Sequence, residues 1–337
     1  MKQIGKRRPP GRSPKQVAGV TLVELMVALS IGSFLIIGAV QVYNQSRQAY
    51  VINESIARVQ ETAQFAMDTI EADLRMASNW GKHSRGDAVE GRFLLDDDVN
   101  PLGLTLPATD CGDGWVLDLE RPIAGFNNTY ALACPPEGAA QDGSDTLTVR
   151  RAAADTSKLP LVPGRLRIQT TRIQGELFDD GVIPPGFDPD PDVSETHDLI
   201  VNSYYVAKDS ELLGAGVPTL RRHTLSAAGG APTIVDQEVA PGIENFQVQF
   251  GVDVDQDNSI DRYVNPGDPI LDPAEAGYIP AARVMTARVW LVVRSVDREQ
   301  GVVNRPYQPG DVSLDAATDD HRRLQVSKTI LLRNART

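Results

Sequence analysis

A chain of 337 residues can form one large domain or two modest ones, and 41% hydrophobic residues give it enough apolar surface for a folded core, which excludes global disorder. The formal net charge is −12, but the first 19 residues hold six cations and no acid, so the remainder carries 27 Lys+Arg against 45 Asp+Glu, a net −18. A body this acidic is not expected to bind nucleic acid through its overall field, because phosphate backbones need clustered cations.

The basic leader (Lys2, Lys6, Arg7, Arg8, Arg12, Lys15) is followed by an apolar run from Val20 to Val42. At about 1.5 Å per residue this run can cross a bilayer, and it exceeds the apolar core of an ordinary secretory signal. The cations place residues 1–19 in the cytoplasm and the body outside. A plain anchor leaves Glu24 unexplained, since a carboxylate inside an apolar run costs about 2.5 kcal/mol or more without a partner.

The stretch Lys15-Gln16-Val17-Ala18-Gly19 followed by Val20-Thr21-Leu22-Val23-Glu24 resembles the processing site of type IV prepilins and type II secretion pseudopilins. The resemblance implies cleavage after Gly19 by a prepilin peptidase, methylation of the new N-terminus at Val20, and retention of the apolar segment as the first half of a long helix. It further implies that Glu24, the fifth mature residue, pairs with the N-terminal amine of a neighbouring subunit. Val20 departs from the family's usual Phe, and the 19-residue leader is long but within the family's habit.

Past the membrane segment (20–42), the apolar residues Ile52, Ile56, Val59, Ala63, Ala66, Ile70, Leu74 and Ala77 recur at helical spacing. Arg47, Glu54, Arg58, Glu61, Asp68 and Asp73 are expected on the solvated faces. With no proline between Val20 and Met76, one helix of roughly 85 Å is allowed, with Gly32 and Gly38 as places to bend. Its amphipathic half, 43–78, is expected to carry the body.

Residues 79–145 lose periodicity. They hold Asp96-Asp97-Asp98, expected as a solvated loop, a short strand candidate at Trp115–Leu119, and both cysteines. Cys111 and Cys134 show no metal-ligand spacing; in an exported body a disulfide closing a loop of about 24 residues is the simplest reading, stabilising by roughly 3 kcal/mol, and two reduced core thiols are the alternative.

From 146 to 337 the chain reads as strands: Thr146–Arg151, Arg165–Ile173, His197–Ala207, Leu220–Leu225, Ile243–Val254, Arg283–Val296 and Leu324–Arg333. The proline-rich stretches Pro184–Asp192 and Pro266–Pro273 are surface loops. The expected class is α+β: a long N-terminal helix packed on a mainly antiparallel sheet, pilin-like. The runs Arg283–Ser295 and His321–Asn334, with the large β-rich body, resemble PilW-type minor pilins. Residues 80–195 show no such likeness.

Asp253, Asp255, Asp257 and Asp261, with the Ser259 carbonyl, stand at positions 1, 3, 5, 9 and 7 of a D-x-D-x-D loop, which can hold weak Ca2+. Asn258 replaces the usual glycine, Val264 stands where an EF-hand closes with Glu, and the flanks read as strands, so an EF-hand is excluded. The other reading is a solvated Asx hairpin turn. His83, His197, His223 and His321 are scattered surface or strand residues, and no hydrolase, nucleotide-binding or zinc-protease motif occurs, so no enzyme is expected.

Function thus reads first as a minor pilin acting in pilus initiation and assembly. Its implied partners are other minor pilins, the major pilin, the prepilin peptidase, the inner-membrane assembly platform and a tip adhesin. It would be a single-pass inner-membrane protein with a periplasmic body, and would lie in the pilus at the cell surface after assembly. A J-type pseudopilin of type II secretion and a membrane-anchored calcium-dependent adhesive module are the two alternatives.

Overall fold

The computed structural model describes residues 19–94, 102–107, 111–112, 114–188, 190–299 and 301–336; the leader ahead of Gly19 and the Asp96–Asp98 loop lie outside them. The chain divides into two compact units, Met1–Glu54 and Ser55–Thr337. A single helix, α1 (Leu22–Met76), takes in 55 residues and runs unbroken through Gly32 and Gly38. It ends where Ser78 turns to a left-handed φ of 62° and the Asn79 N–H caps the Met76 carbonyl at 3.0 Å.

Twelve strands follow among the described residues: β1 (Val89–Glu90), β2 (Ile123–Phe126), β3 (Thr146–Thr156), β4 (Arg167–Thr170), β5 (Gly175–Phe178), β6 (Glu195–Ala207), β7 (Thr219–Ala228), β8 (Ala231–Pro241), β9 (Ile243–Asp253), β10 (Arg262–Val264), β11 (Arg283–Arg294) and β12 (Arg323–Leu331). All seven expected strands are present, in two sheets rather than one. The first sheet runs β1-β5-β4-β6-β3-β2, and the second β10-β9-β11-β12. Strand β6 is the hinge of the first sheet: β3 takes one edge, while β4 and β7 share the other, and β8 extends it beyond β7. Only the short β1–β5 pair is parallel among these strands.

Two sequence expectations about these elements need correction, and one strand went unread. Trp115–Leu119 is not a strand but a turn, wound by Gly112 and Gly114 at φ 143° and 68°, with Asp118 N–H bonded to Gly114 O at 2.7 Å. Its apolar residues are consecutive because all are buried, not because they alternate. Strand β8 escaped notice because Pro232 and Pro241 bracket it; as an edge strand it tolerates both. The apolar stripe of α1 is buried only from Val59 onward: Ile52 is exposed and Ile56 half-buried.

Within the larger unit, Val59, Ala63, Ala66, Met67, Ile70 and Leu74 pack with Tyr204 and Val206 of the first sheet and Phe246, Val248, Ala287 and Val289 of the second. Because β6 alternates faces, its even residues Asn202, Tyr204 and Val206 meet α1, while Leu199 and Val201 meet a second cluster with Trp80, Trp115, Leu117 and the Cys111–Cys134 disulfide. The disulfide region is therefore a layer on the opposite face of that sheet.

Asp73, expected on a solvated face, is 4% exposed. Its carboxylate accepts from Arg151 Nε and Nη2 at 3.0 and 2.8 Å, from Asn202 Nδ2 at 2.6 Å and from the Tyr204 hydroxyl at 2.5 Å. Glu71, 200° away around the helix axis by the ~100° per residue of an α-helix, accepts instead from Lys328 on β12, whose ammonium holds the Glu71 carboxyl below its usual range. One turn of α1 thus fastens both sheets. Near the start of the larger unit the Ser55 hydroxyl donates to Glu299, which also takes Arg322 Nη2 at 3.0 Å.

The sheets also meet at residues 143–145. The Asp145 N–H donates to Phe246 O at 2.8 Å, and its two carboxylate oxygens accept from Asn128 N–H and Val248 N–H, each at 2.7 Å. Burial pushes this carboxyl up to about 7 against those two donors.

Asp73→Ala in the full chain strands Arg151, Asn202 and Tyr204 without an acceptor, so about 3–5 kcal/mol of stability should be lost in denaturant titration. Asp68→Ala, at an exposed position of the same helix, should stay within about 0.5 kcal/mol, and equal effects would contradict the docking role. For Asp145 the folded carboxyl holds its proton more tightly than the unfolded one, so the folded state binds more protons between about pH 4 and 7. Its contribution to stability should accordingly fall as pH rises through that window. Thermal melts at pH 5 and pH 8 should show a larger drop for the wild type than for Asp145→Asn; identical drops would refute it.

Candidate functional site

The N-terminal segment is built from local chemistry. Gly19 and Val20 precede the helix, both exposed. Thr21 caps the helix: its hydroxyl oxygen accepts from Glu24 N–H at 3.3 Å, and Glu24 Oε2 accepts from Thr21 N–H at 3.0 Å and from the Thr21 hydroxyl at 3.1 Å. This is a capping box, legible in the T-x-x-E spacing though not read there. It gives Glu24 an intrachain partner. Beyond it the helix is long and apolar enough to cross a membrane, and Leu22, Leu25, Met26, Leu29, Phe34, Leu35 and Ile36 are each more than half exposed. Ser30 and Ser33 return their hydroxyls to Met26 O and Leu29 O at 2.9 and 2.7 Å, so neither leaves a polar group facing outward.

Cys111 and Cys134 form a disulfide, 23 positions apart in sequence. His223 lies within reach of their sulfurs, but sulfurs spent in a disulfide are not thiolate ligands, so this trio is no metal site. His223 belongs instead to a cluster that sequence spacing did not reveal. It stacks on Tyr205 with ring centroids 5.1 Å apart, its Nε2 lies 2.8 Å from the Tyr130 hydroxyl, and its Nδ1 is 3.6 Å from Asp236. Tyr130 donates to Cys134 O at 2.6 Å. Asp236 also binds Arg221 Nε at 2.8 Å, and Arg221 reaches Glu238 at 3.4 Å. Burial holds His223 below the usual imidazole range against the pull of Asp236. With His223 at 2% and Tyr205 at 1% exposure the cluster is closed to substrate, and it clasps the disulfide loop to the β7–β8 hairpin.

The Asp-rich loop joins β9 to β10 between strands, as expected. Carboxylate oxygens of Asp253, Asp255 and Asp261 converge within 4.8 Å, and Asp257 is not among the converging residues. Each of the four accepts a loop N–H: Asp253 from Gln256 and Asn258 at 2.7 and 2.9 Å, Asp255 from Asp257 at 3.2 Å, Asp257 from Ser259 at 2.7 Å, and Asp261 from Val254 at 2.7 Å. Asn258 takes the left-handed φ, 67°, that its replacement of glycine requires.

Two family profiles match the chain. One, described as a prokaryotic N-terminal methylation motif, covers residues 14–40; the other, described as type IV pilus-assembly protein W, covers residues 203–334, from within β6 through β12. No curated protein and no solved structure matches the chain. A methylation motif at the start of a long helix whose second half packs on antiparallel-rich sheets makes a pilin-like α+β arrangement. The second profile, spanning the hairpin and the whole second sheet, supports a PilW-type minor pilin of type IV pili.

Proposed function

We propose that this protein acts in the initiation and assembly of type IV pili, within a tip or priming complex. The supporting observation is the pairing of a methylation-motif helix, exposed over its apolar half, with a body docked on the other half through Asp73 and Glu71. The peptidase cuts after Gly19, Val20 becomes the methylated N-terminus, and the helix passes from bilayer to fibre core. Glu24 then exchanges part of its capping box for the N-terminal amine of a neighbouring subunit, which offsets the cost of its burial. The β-rich body, held outside the inner membrane before assembly, selects which minor pilins, major pilin or tip adhesin dock. No catalytic step is assigned. A J-type pseudopilin would share this mechanism in a secretion piston; neighbouring pilus genes rather than secretin genes are the expected distinction.

In cells making pili, N-terminal sequencing should find Val20 first, and Glu24→Gln should be cleaved normally yet be depleted from sheared fibres at least about tenfold. Thr21→Val, which removes the capping hydroxyl and keeps the carboxylate, should assemble. A retained Met1, or Glu24→Gln at wild-type levels in fibres, would contradict the reading.

A second reading, that the body binds Ca2+ weakly, draws on the convergence of Asp253, Asp255 and Asp261, whose carboxylate oxygens come within 4.8 Å of one another as hard oxygen ligands of one cation would. Calorimetry on the full chain in detergent should then give a Ca2+ heat that Asp255→Ala removes; no heat with the wild type would sink it.

A further inference from the structure

Cysteines enter a chain as thiols, so a dithiol form of this protein precedes the Cys111–Cys134 disulfide. In that form the two sulfurs have a third donor beside them. A sulfur of each cysteine and a ring nitrogen of His223 lie within 4.8 Å of one another, and all three residues are buried. The donor atoms of a tetrahedral zinc site with two thiolates and an imidazole stand about 3.5–3.8 Å apart, given Zn–S of about 2.3 Å and Zn–N of about 2.0–2.1 Å. Freed from their bond, the sulfurs need to part by less than about 2 Å to reach that spacing.

The imidazole is oriented as a ligand would be. The Tyr130 hydroxyl lies 2.8 Å from His223 Nε2 and 3.5 Å from Cys134 Sγ, so Nε2 is the nitrogen on the sulfur side. Nδ1 lies on the other side, 3.6 Å from an Asp236 carboxylate oxygen. A metal on Nε2 leaves the ring proton on Nδ1, where Asp236 stands to accept it; a carboxylate on the second ring nitrogen is the usual support of a metal-bound histidine. Asp236 is itself fixed by Arg221 Nε at 2.8 Å, and the ring by its stack on Tyr205. The cysteines are placed by more than their own bond. The Ala133 N–H donates to Cys111 O at 2.9 Å and the Tyr130 hydroxyl to Cys134 O at 2.6 Å, contacts that do not depend on the S–S bond. Two thiolates and an imidazole suit zinc, whereas calcium and magnesium take oxygen ligands.

We propose that the dithiol chain binds one zinc-type cation through Cys111 Sγ, Cys134 Sγ and His223 Nε2, so that metal and disulfide are alternative staples of the same loop. Each thiol gives up its proton on binding, so two protons are released per cation. The cation adds a link the disulfide lacks, since it ties the loop to β7 as well as to itself. It would hold the loop against the β7–β8 hairpin, with the thiols occupied, until oxidation. An exchanging disulfide then takes two electrons from the thiolates and, with two protons, becomes a dithiol; the Cys111–Cys134 bond forms and the cation leaves.

The test uses the full chain in detergent, reduced with a water-soluble phosphine, which brings no competing thiol, and kept free of oxygen. Co2+, a zinc surrogate that absorbs visible light, should bind one per chain with a thiolate-to-metal charge-transfer band, and Zn2+ should bleach that band. Zn2+ should also raise the melting temperature of the reduced chain while leaving the oxidised chain unchanged. His223→Gln should bind Co2+ at least about tenfold more weakly. No charge-transfer band in the reduced wild type overturns the proposal. So does equal stabilisation of the reduced and oxidised chains, which would put the metal elsewhere, and so does wild-type affinity in His223→Gln, which would leave the thiols as the whole site. The comparison of reduced with oxidised chain is made on the wild type, so it stands whatever the stability of the variant.

Discussion

One buried carboxylate fixes the geometry on which the rest depends. Asp73 sits in the last turns of α1 and takes four hydrogen bonds from β3 and β6, enough to satisfy an ionised group that burial would otherwise penalise severely. Two positions earlier Glu71 reaches Lys328 on β12, in a different direction around the same axis. A helix that packed by Ala63, Ala66 and Ile70 alone could slide or rotate, because apolar contact is non-directional. The two carboxylates set its register against both sheets. The polar pairs add specificity of docking more than raw stability, which comes from the apolar stripe between them.

The opposite face of the first sheet presents a different problem, since no second helix covers it among the described residues. The chain covers it with irregular segments carrying Trp80, Trp115, Leu117 and Leu119, and such segments pay a large conformational entropy for the surface they bury. The Cys111–Cys134 disulfide and the Tyr130–His223–Asp236–Arg221 cluster restrain that layer from its two sides, one by limiting the unfolded chain and the other by fixing native contacts. This division explains why a body rich in loops needs both a covalent staple and a buried polar network.

What stays uncovered in this chain is as specific as what is packed. The apolar half of α1 is exposed in the isolated chain, while the outer strand β8 is guarded by prolines and inward-turned acids. The helix offers a greasy, non-directional surface. In the proposed assembly the exposed apolar half of the helix would bring subunits into the same fibre.

Sequence alone determined the elements whose signals are local. The basic leader and the apolar run lie within one stretch, and length and charge suffice to read a membrane-spanning segment there, while Gly19 and Glu24 took meaning only from their resemblance to a prepilin processing site; the seven longest strand signals and the left-handed turn at Asn258 follow from alternation and turn chemistry. What only the tertiary structure decided depends on residues far apart in the chain. Asp73 looks like a solvated helix residue until Arg151, Asn202 and Tyr204 arrive from two strands, and His223 looks isolated until Tyr130 and Asp236 close on it. Trp115–Leu119 reads as a strand because five apolar-rich residues fit that pattern, and only the second core reveals that burial on all sides made them apolar. Periodicity reports which way a side chain faces along its own element; it carries no information about which distant group waits there.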